Sequence, residues 1–347
     1  MAASLMQRVE DGKILTRAEA EEIMEAILSG HASTSDIVSL LRGMNARPAQ
    51  AQELAGFAFT MRRHAASVFS DEEARPAHLV DTCGTGGDGC DTFNISTVAA
   101  IVAAAAGASV AKHGNRAASS RCGSADVLEE LGVRVDLPPR RGGDAIRELG
   151  LGFIFAPAAH SAMRHALEAR KQIGVRTVFN LLGPLTNPAG APAQLAGVYS
   201  HAVLDLMAAT FVELGVSRAF VVHGADGLDE ISLSGETAVV EVQNGSIRRF
   251  ILTPENFGLS RAPLETLRGG DAVYNAALIR AVLANEPGPR RDITVINAAA
   301  ALVVAGVASD LQEGARLAGS AISSGAVRKK LAALAEFSHQ AYVSEEN

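Results

Sequence analysis

Several features that would place this chain in another class of protein are missing from its sequence. It has no tryptophan, and its three cysteines, Cys83, Cys90 and Cys122, form neither a CxxC pair nor an even framework. Such cysteine usage predicts a reducing, cytoplasmic location rather than a disulfide scaffold. The first segment, MAASLMQRVEDGKIL, lacks the apolar core of a signal peptide, so we expect no secretion signal.

Long apolar runs and an excess of basic residues are missing as well. The most apolar run, VAAIVAAAAGASVA, spans about 14 residues, which is too short to cross a bilayer. The formal net charge is -7, so a nucleic-acid surface would have to be a local basic patch. Hydrophobic residues make up 48% and charged residues 20% of the chain, values typical of globular enzymes. We therefore expect neither a membrane nor a nucleic acid as a partner.

The first part of the chain contains helical patterns and no candidate strand. In LTRAEAEEIMEAILSG, Thr16 and Glu19 stand at the positions of a capping box, and Gly30 stands where the helix should stop. STSDIVSLLRGMNA and PAQAQELAGFAFTMRRHA repeat the helical spacing of apolar residues. These patterns predict a small all-helical domain over residues 1–72.

From Pro76 onward, short apolar runs alternate with helical patterns. The predicted strands are AHLVDT, ASVAKHG, VRVDL, GFIFAP and RAFVVHG. The predicted helices are TVAAIVAAAAG, SADVLEELGV, RGGDAIRELG, HSAMRHALEARKQIG, LDLMAATFVELGV and the tail from Asp271. ISLSGETAVVEVQNGSIRRFILT is typical of an antiparallel pair that turns at Asn244-Gly245. The pattern predicts an α/β fold over residues 73–347, with a mostly parallel sheet and flanking helices.

The segment DTCGTGGDGCDTFNIST, residues 81–97, concentrates four glycines in the six positions from Gly84 to Gly89. It satisfies G-x-G-x-x-G, but a dinucleotide loop also needs a helix that opens on the last glycine and an acid about 20 residues later. Here the helix opens near Asn94, and no acidic residue occurs between Asp91 and Asp126. A Walker A lysine is also missing, and the apolar strand and helix on either side argue against a flexible linker. We therefore predict an anion-binding loop of another kind.

Hydrogen-bond donors fill the stretch without acids. They are Lys112, His113, Arg116, Arg121, Ser96, Thr97, Ser119, Ser120 and Ser124. The glycine segment and KHGNR follow successive strands, and open α/β sheets bind ligands at the carboxyl ends of their strands. The first loop offers backbone N–H groups and a helix N-terminus, and the second offers Lys112 and Arg116 as full charges. A surface loop that is basic by chance is the alternative for KHGNR. The two loops together predict a ligand with more than one phosphate.

A multiply phosphorylated ligand usually arrives with Mg²⁺, which takes oxygen ligands and few protein carboxylates. Ser96 could supply one such oxygen. Asp229 and Glu230, in VVHGADGLDEIS, follow another apolar strand and so lie at the same edge of the predicted sheet. A solvated loop pair is the alternative, but their position favours a metal site.

Four motifs in the same order resemble one family. GTGGDGCDTFNIST, KHGNRAASSRCGSADVLEELG, GVRTVFNLLGPLTNPA and VHGADGLDEIS are similar to the anthranilate phosphoribosyltransferases, within the nucleoside phosphorylase/phosphoribosyltransferase superfamily. The resemblance covers nearly the whole chain; RGMNARPAQ departs from it, where relatives usually have a Lys-Gly-Glu-Thr-type turn. It implies a helical domain that includes about residues 170–190, a hinge to the α/β domain, and a homodimer formed through the helical part.

The resemblance also implies a reaction. Anthranilate and 5-phosphoribosyl diphosphate (PRPP) would give N-(5-phosphoribosyl)anthranilate and diphosphate in tryptophan biosynthesis, with two Mg²⁺ per subunit. The PRPP contacts implied are Gly84, Gly87, Asp88, Thr92, Asn94, Ile95, Ser96, Thr97, Lys112, His113, Gly114, Asn115, Arg116, Ala117, Ala118, Ser119, Ser120 and Ser124. The anthranilate contacts are Gly84, Asn115, Arg170, His113, His160 and Pro184, and the metal ligands are Ser96, Asp229 and Glu230. No residue is singled out as a general base.

For some of these residues a plain structural role is the alternative. Arg170 could be a helix-surface arginine, and His160 could be a helix cap or a packed histidine; His223 is expected to be structural. Two other functions also compete. A pyrimidine-nucleoside phosphorylase would carry Ser-x-x-x-Lys after its base-binding arginine, whereas FNLLGPLTNP follows Arg170. A noncatalytic nucleic-acid-binding relative would need a basic groove, and this acidic chain keeps both Asp229 and Glu230.

Overall fold

The structure is a computed structural model that describes residues 2–70, 74–117 and 121–343. It opens on four helices: α1 (Ala2–Glu10), α2 (Arg17–Leu28), α3 (Thr34–Asn45) and α4 (Ala51–His64). The predicted capping box of α2 is confirmed, because the Thr16 side chain accepts from the N–H of Glu19 and the Glu19 side chain accepts from the N–H of Thr16. Gly30 ends this helix region at a φ of +73°. A helical bundle therefore forms where the periodicity predicted one.

Strands and helices alternate in the rest of the chain. The first half of this part contains β1 (Leu79–Asp81), α5 (Ile95–Ala105), β2 (Ser109–Gly114), α6 (Ser124–Glu130), α7 (Pro139–Leu149), β3 (Leu151–Phe155), α8 (Ala156–Ala159) and α9 (Leu167–Ile173). The second half contains β4 (Ala193–Gly197), α10 (Leu204–Glu213), β5 (Arg218–Gly224), β6 (Thr237–Gln243), β7 (Ser246–Leu252), α11 (Ala272–Leu283), α12 (Pro289–Val304), α13 (Leu311–Ser323) and α14 (Ala326–Val343).

The strands form one 7-stranded sheet in the order β3-β2-β1-β4-β5-β6-β7. The pairs from β3 to β5 are parallel, and β6 and β7 add antiparallel pairs at one edge. Asn244 and Gly245 make the predicted hairpin turn with positive φ angles of 48° and 83°. The predicted fold class, a mostly parallel sheet with flanking helices and a smaller helical domain, is confirmed.

The two faces of the sheet pack into two apolar cores. On one side, α5 and α12 contact each other, and α5 is buried along nearly its whole length because it also packs on β2, α13 and α14. On the other side, α1 to α4 share a core with α10 and with residues of segment 166–185. Within that core the ring of Phe57 meets the ring of Phe179 edge-on, with 6.2 Å between centroids. The segment after α9 is therefore packed onto the bundle.

Two local predictions fail, and one strand was not predicted. VRVDL forms no strand: Val133 and Val135 are buried, and the N–H of Arg134 donates to Ser338 Oγ on α14 rather than to a strand. HSAMRHALEARKQIG is helical only from Leu167, after a 3₁₀ turn over Ser161–Ala166. The central strand β4 has no prediction, because AQLAG lacks the β-branched residues that mark strands. No described helix has the length and hydrophobicity that a bilayer crossing requires.

Candidate active site

Four loops meet at the C-terminal end of the parallel strands, where β1, β2, β4 and β5 end. These strands are parallel neighbours, so their carboxyl ends lie side by side. The loop after β1 contains residues 84–89, which we call the glycine loop. The loop after β2 contains the described residues 115–117 and 121–123, and the turn after β5 carries Asp229 and Glu230. The sheet thus brings together the three motifs that the sequence singles out.

The glycine loop turns its backbone with residues that tolerate left-handed conformations. Gly86, Gly87 and Gly89 have φ angles of +66°, +76° and +77°, which a side chain would disfavour. The N–H of Thr85 donates to the Gly197 carbonyl at 2.9 Å, and the N–H of Gly86 donates to Asp229 Oδ2 at 2.8 Å. Within the described part of the chain, the N–H groups of Gly87, Asp88 and Gly89 have no acceptor. The loop therefore offers backbone donors to an anion.

Helix α5 begins beside this loop. Asn94 is its N-cap residue, and its side chain donates to the Cys122 carbonyl and accepts from Asn275 Nδ2, at 3.1 and 2.9 Å. The side chain of Asn94 thus fixes the helix start against the second loop and α11 rather than capping the helix. A helix N-terminus in this position attracts negative charge.

Lys112 on β2 is the buried cation of the site, with only 5% of its surface exposed. Its Nζ donates to the Thr82 carbonyl at 2.7 Å and to Ser96 Oγ at 3.3 Å. It therefore connects the start of the glycine-rich segment to the first turn of α5. The Lys112 charge also lowers the pKa of the buried Asp81 and of Glu230, against the larger effect of their desolvation.

Asp229 and Glu230 lie in surroundings that disfavour their negative charge. Loss of hydration raises the pKa of Glu230 to about 7, although Lys112 and the Ser96 hydroxyl act in the opposite direction. Desolvation, Asp88 and Glu230 together raise the pKa of Asp229 well above its usual range. Carboxylates crowded in this way fit a cation. Within the described ranges, no group of three or more His, Cys, Asp or Glu side chains is arranged to hold a metal ion.

Two buried histidines lie close together, His113 at the end of β2 and His160 after α8. The rings of His113 and His160 meet edge-on with 5.3 Å between centroids, and neither Nε2 atom has a hydrogen-bond partner in the described chain. Burial lowers the pKa of His113 to about 3, with help from His160, and burial lowers the pKa of His160 to about 4. Both rings are therefore neutral. Pro184 lies in the adjacent 3₁₀ turn Gly183–Leu185, and its carbonyl accepts from Gln194 Nε2 at 2.6 Å.

Arg170 lies on α9 and is half-buried. Among the described residues its guanidinium has no hydrogen-bond or ion-pair partner, and burial lowers its pKa. A half-buried arginine without a counter-ion is suited to bind a carboxylate. This environment differs from that of the surface arginine that the helix pattern alone favoured.

The second loop is organised around an acid that the sequence analysis placed just outside it. Asp126 Oδ2 accepts from the N–H groups of Ala117 and Gly123, each at 2.8 Å. Arg116 pairs with both oxygens of Glu129 at 2.5 and 2.7 Å, so it is not the unpaired charge that was expected. Ala118, Ser119 and Ser120 lie outside the described residues.

The remaining predicted residues of this region have structural contacts. The carbonyl of Asn115 accepts from Ser124 Oγ at 3.2 Å and from the N–H of Ala125. A Cβ on Gly114 would lie 2.2 Å from Ser124 Oγ, so this position requires glycine. Thr92 forms an isolated β-bridge with Arg268. The contacts of Asn115 hold the second loop close to α6.

Sequence reasoning missed four residues at this edge of the sheet. Gly197 lets two loops touch, because a Cβ there would lie 1.5 Å from the Asp229 carbonyl oxygen. Asp81 is fully buried, and its Oδ1 has no partner among the described residues. Arg176 and Tyr199 contact the glycine loop from outside it. None of the four carries a signal in the sequence, since Gly197 ends a strand that was itself not predicted.

Two family models match this chain. Residues 3–65 match the helical bundle domain of a glycosyl transferase family, and residues 76–328 match the a/b domain of the same family. The bundle and the sheet described above correspond to these two parts. The fold and the site therefore define a glycosyltransferase.

Similar proteins narrow this class further. The chain is 49% identical over 334 residues to the anthranilate phosphoribosyltransferase of Moorella thermoacetica, covering 96% of this chain and 97% of the relative. The crystal structure of the Thermus thermophilus enzyme of that name superposes with a TM-score of 0.91 at 46% identity, covering 98% and 100% of the two chains. The structure of the Saccharomyces cerevisiae anthranilate phosphoribosyltransferase in complex with PRPP and Mg superposes with a TM-score of 0.84 at 27% identity, covering 94% of each chain. The chain belongs to the anthranilate phosphoribosyltransferase family.

Proposed function

We propose that this chain transfers the 5-phosphoribosyl group of PRPP to the amine of anthranilate, giving N-(5-phosphoribosyl)anthranilate and diphosphate in tryptophan biosynthesis. One observation carries the proposal. Unsatisfied N–H groups of the glycine loop, the N-terminus of α5 and the buried Lys112 converge at the sheet edge that also holds two crowded carboxylates. The relatives named above support the choice of substrates.

PRPP binds, in this proposal, between the two loops. The glycine loop and the first turn of α5 take the diphosphate through their N–H groups, and Lys112 adds a full positive charge close by. The second loop holds the rest of the molecule through its backbone and hydroxyl groups. Because Arg116 is paired with Glu129 in this structure, its contact with PRPP requires that pair to open.

Two Mg²⁺ ions per subunit complete the PRPP site in this proposal. Ser96 serves one ion, and Asp229 and Glu230 serve the other; the raised pKa of Glu230 is the observation that supports a cation there. Mg²⁺ held there would stabilise the negative charge that develops on the diphosphate as it leaves. Lys112 acts on the same charge from the protein side, and its burial strengthens the interaction.

Anthranilate is held by its carboxylate in this proposal. Arg170 binds that carboxylate, with Gly84, Asn115, His113, His160 and Pro184 around the ring. The attacking group is a neutral aromatic amine, so no strong base is needed before attack. Neutral histidines place no second positive charge beside the ribosyl centre as it becomes cationic. We expect positioning to provide much of the rate enhancement and assign no general base.

The proposal includes a two-domain organisation. Residues 1–72 with about 170–190 form the helical domain, and residues 73–347 form the α/β domain. The boundary at 72 and 73 lies outside the described residues. The packing of Phe57 against Phe179 supports the assignment of the second segment. Closure at a hinge would exclude water from PRPP. A homodimer through the helical domain and a cytoplasmic location, which the cysteine usage favours, complete the proposal.

Anthranilate fluorescence provides the test. It should fall with time when the protein, PRPP and Mg²⁺ are mixed, and it should remain constant when Mg²⁺ is replaced by a chelator. Stable anthranilate fluorescence together with phosphorolysis of thymidine would replace the proposal with a nucleoside phosphorylase.

A further inference from the structure

Arg176 lies between α9 and the 3₁₀ turn Val178–Leu181, and its side chain reaches the glycine loop. Its Nη2 donates to the Gly87 carbonyl at 2.5 Å. Its guanidinium also lies over the ring of Tyr199, with 4.0 Å from Cζ to the ring centroid. A Cβ on Gly87 would come within 2.9 Å of the guanidinium, so the contact also requires glycine at this position.

The backbone of Arg176 is held by the helical bundle. Its carbonyl accepts from Asn45 Nδ2 at 3.1 Å, and Asn45 is the last residue of α3. One residue further on, the Thr177 side chain accepts from the N–H of Phe179, whose ring packs against Phe57 of α4. The helical bundle therefore fixes the backbone of Arg176, whose side chain binds the glycine loop.

Tyr199, whose ring contacts the Arg176 guanidinium, is itself bound to the glycine loop. Its N–H donates to Thr85 Oγ1 at 3.0 Å, and the N–H of Thr85 donates to the Gly197 carbonyl at 2.9 Å. The glycine loop is thus held both by the segment from Gly197 to Tyr199 and by Arg176. The cation–π contact with the tyrosine ring helps to hold the guanidinium where it meets Gly87.

The consequence for phosphate binding follows from peptide geometry. The Gly87 carbonyl and the Asp88 N–H belong to one planar trans peptide and point in opposite directions. Fixing the carbonyl therefore also fixes the direction of the Asp88 N–H, which has no acceptor among the described residues. Without Arg176, this peptide could turn about ψ of Gly87 and φ of Asp88, and Gly87 has no side chain to oppose the change.

We propose that Arg176 is a positioning residue for phosphoribosyl transfer: it orients the Gly87–Asp88 peptide so that its N–H faces the diphosphate. Because the backbone of Arg176 is bound to α3, that orientation also depends on the position of the helical bundle. This inference rests on the function proposed above. It assigns Arg176 no contact with either substrate.

Four variants separate this role from a purely structural one. Arg176→Ala removes the grip, Arg176→Lys keeps the charge without the planar stack, and Tyr199→Phe keeps the stack without the hydroxyl. Arg164→Ala is the matched control, because in the described chain the Arg164 guanidinium donates only to the Ser161 carbonyl. The measurements are the Kd of Mg²⁺-PRPP by calorimetry, both KM values, kcat and the thermal midpoint.

Arg176→Ala should weaken PRPP binding about tenfold or more, the usual effect of losing a charged hydrogen bond, and should change the KM of anthranilate less than about threefold. Arg176→Lys should recover part of the PRPP affinity, and Tyr199→Phe and Arg164→Ala should match the wild type. Wild-type PRPP affinity in Arg176→Ala would overturn the inference, as would an equal change in both KM values with a lowered thermal midpoint. A wild-type protein that binds PRPP but leaves anthranilate unchanged would overturn the proposed function instead.

Discussion

The ammonium group of Lys112 lies 3.3 Å from the hydroxyl of Ser96, and the same ammonium donates to the Thr82 carbonyl at 2.7 Å. One buried cation therefore joins the strand before the glycine loop to the helix after it. Its charge also acts on Glu230, whose pKa would rise further without it. Lys112 thus holds the anion site together as well as contributing charge to it.

Replacing Lys112 with methionine keeps the length of the side chain and removes the charge. We expect kcat/KM for PRPP to fall about 100-fold or more, since a buried donor aimed at developing charge has effects of this size. Steady-state kinetics at saturating anthranilate measure it. Lys329→Met, at an exposed position on α14, is the control. A change of less than about threefold in Lys112→Met would remove Lys112 from the diphosphate site.

Arg170→Ala should raise the KM of anthranilate about tenfold or more and leave the KM of PRPP nearly unchanged, because the lost partner is the substrate carboxylate. The KM of anthranilate in Arg170→Lys should lie between the values of the wild type and Arg170→Ala, since lysine keeps the charge but not the paired donors. The neighbouring exposed Lys171→Ala serves as the control. Equal increases in both KM values would show that Arg170 supports the fold of α9 rather than the substrate.

The position of the site was predictable because it follows from chain order. Lys112 and Asp229 each come at or after the end of an apolar strand, and parallel strands bring such positions together whatever their distance in sequence. The type of glycine loop was also predictable, because the missing acid and the late helix start excluded a dinucleotide loop. Both arguments need only local pattern and sheet topology.

The features that were not predicted depend on contacts between segments that are distant in the sequence. The hydrogen bond from Arg176 to Gly87 joins residues 89 positions apart, and neither residue type indicates the other. The partner of Arg116 was missed because Glu129 lies one helix further on, beyond the stretch without acids. Strand β4 was missed because Ala193–Gly197 is buried by its position in the sheet rather than by its own hydrophobicity.

Asp229→Asn combined with Glu230→Gln should alter the response to magnesium. Wild-type protein should gain thermal stability when Mg²⁺ and PRPP are added together, and the double variant should gain much less, because its amides cannot neutralise a cation. The Mg²⁺ dependence of the remaining activity should shift to higher concentrations. Glu236→Gln, an exposed position in the same turn region, should behave as wild type. An unchanged Mg²⁺ profile in the double variant would place the metal elsewhere.

The buried histidine pair should make stability depend on pH. The pKa values of His113 and His160, about 3 and about 4, lie below the value near 6.5 of an unfolded histidine, so between about pH 4 and 6.5 the unfolded chain binds more protons. The free energy of unfolding should therefore increase with pH in this window, by about 1.4 kcal/mol per pH unit for each histidine. It should decrease by the same amount as the pH falls through the window.

His160→Gln should reduce this slope by the contribution of one histidine, whatever its effect on stability at neutral pH. Urea unfolding at a series of pH values between about 4.5 and 7.5 measures the slope, and other acids cancel in the comparison. His201→Gln, at an exposed position, should keep the wild-type slope. Identical slopes in all three proteins would mean that His160 is accessible to protons in the folded state, which would contradict a neutral, buried ring.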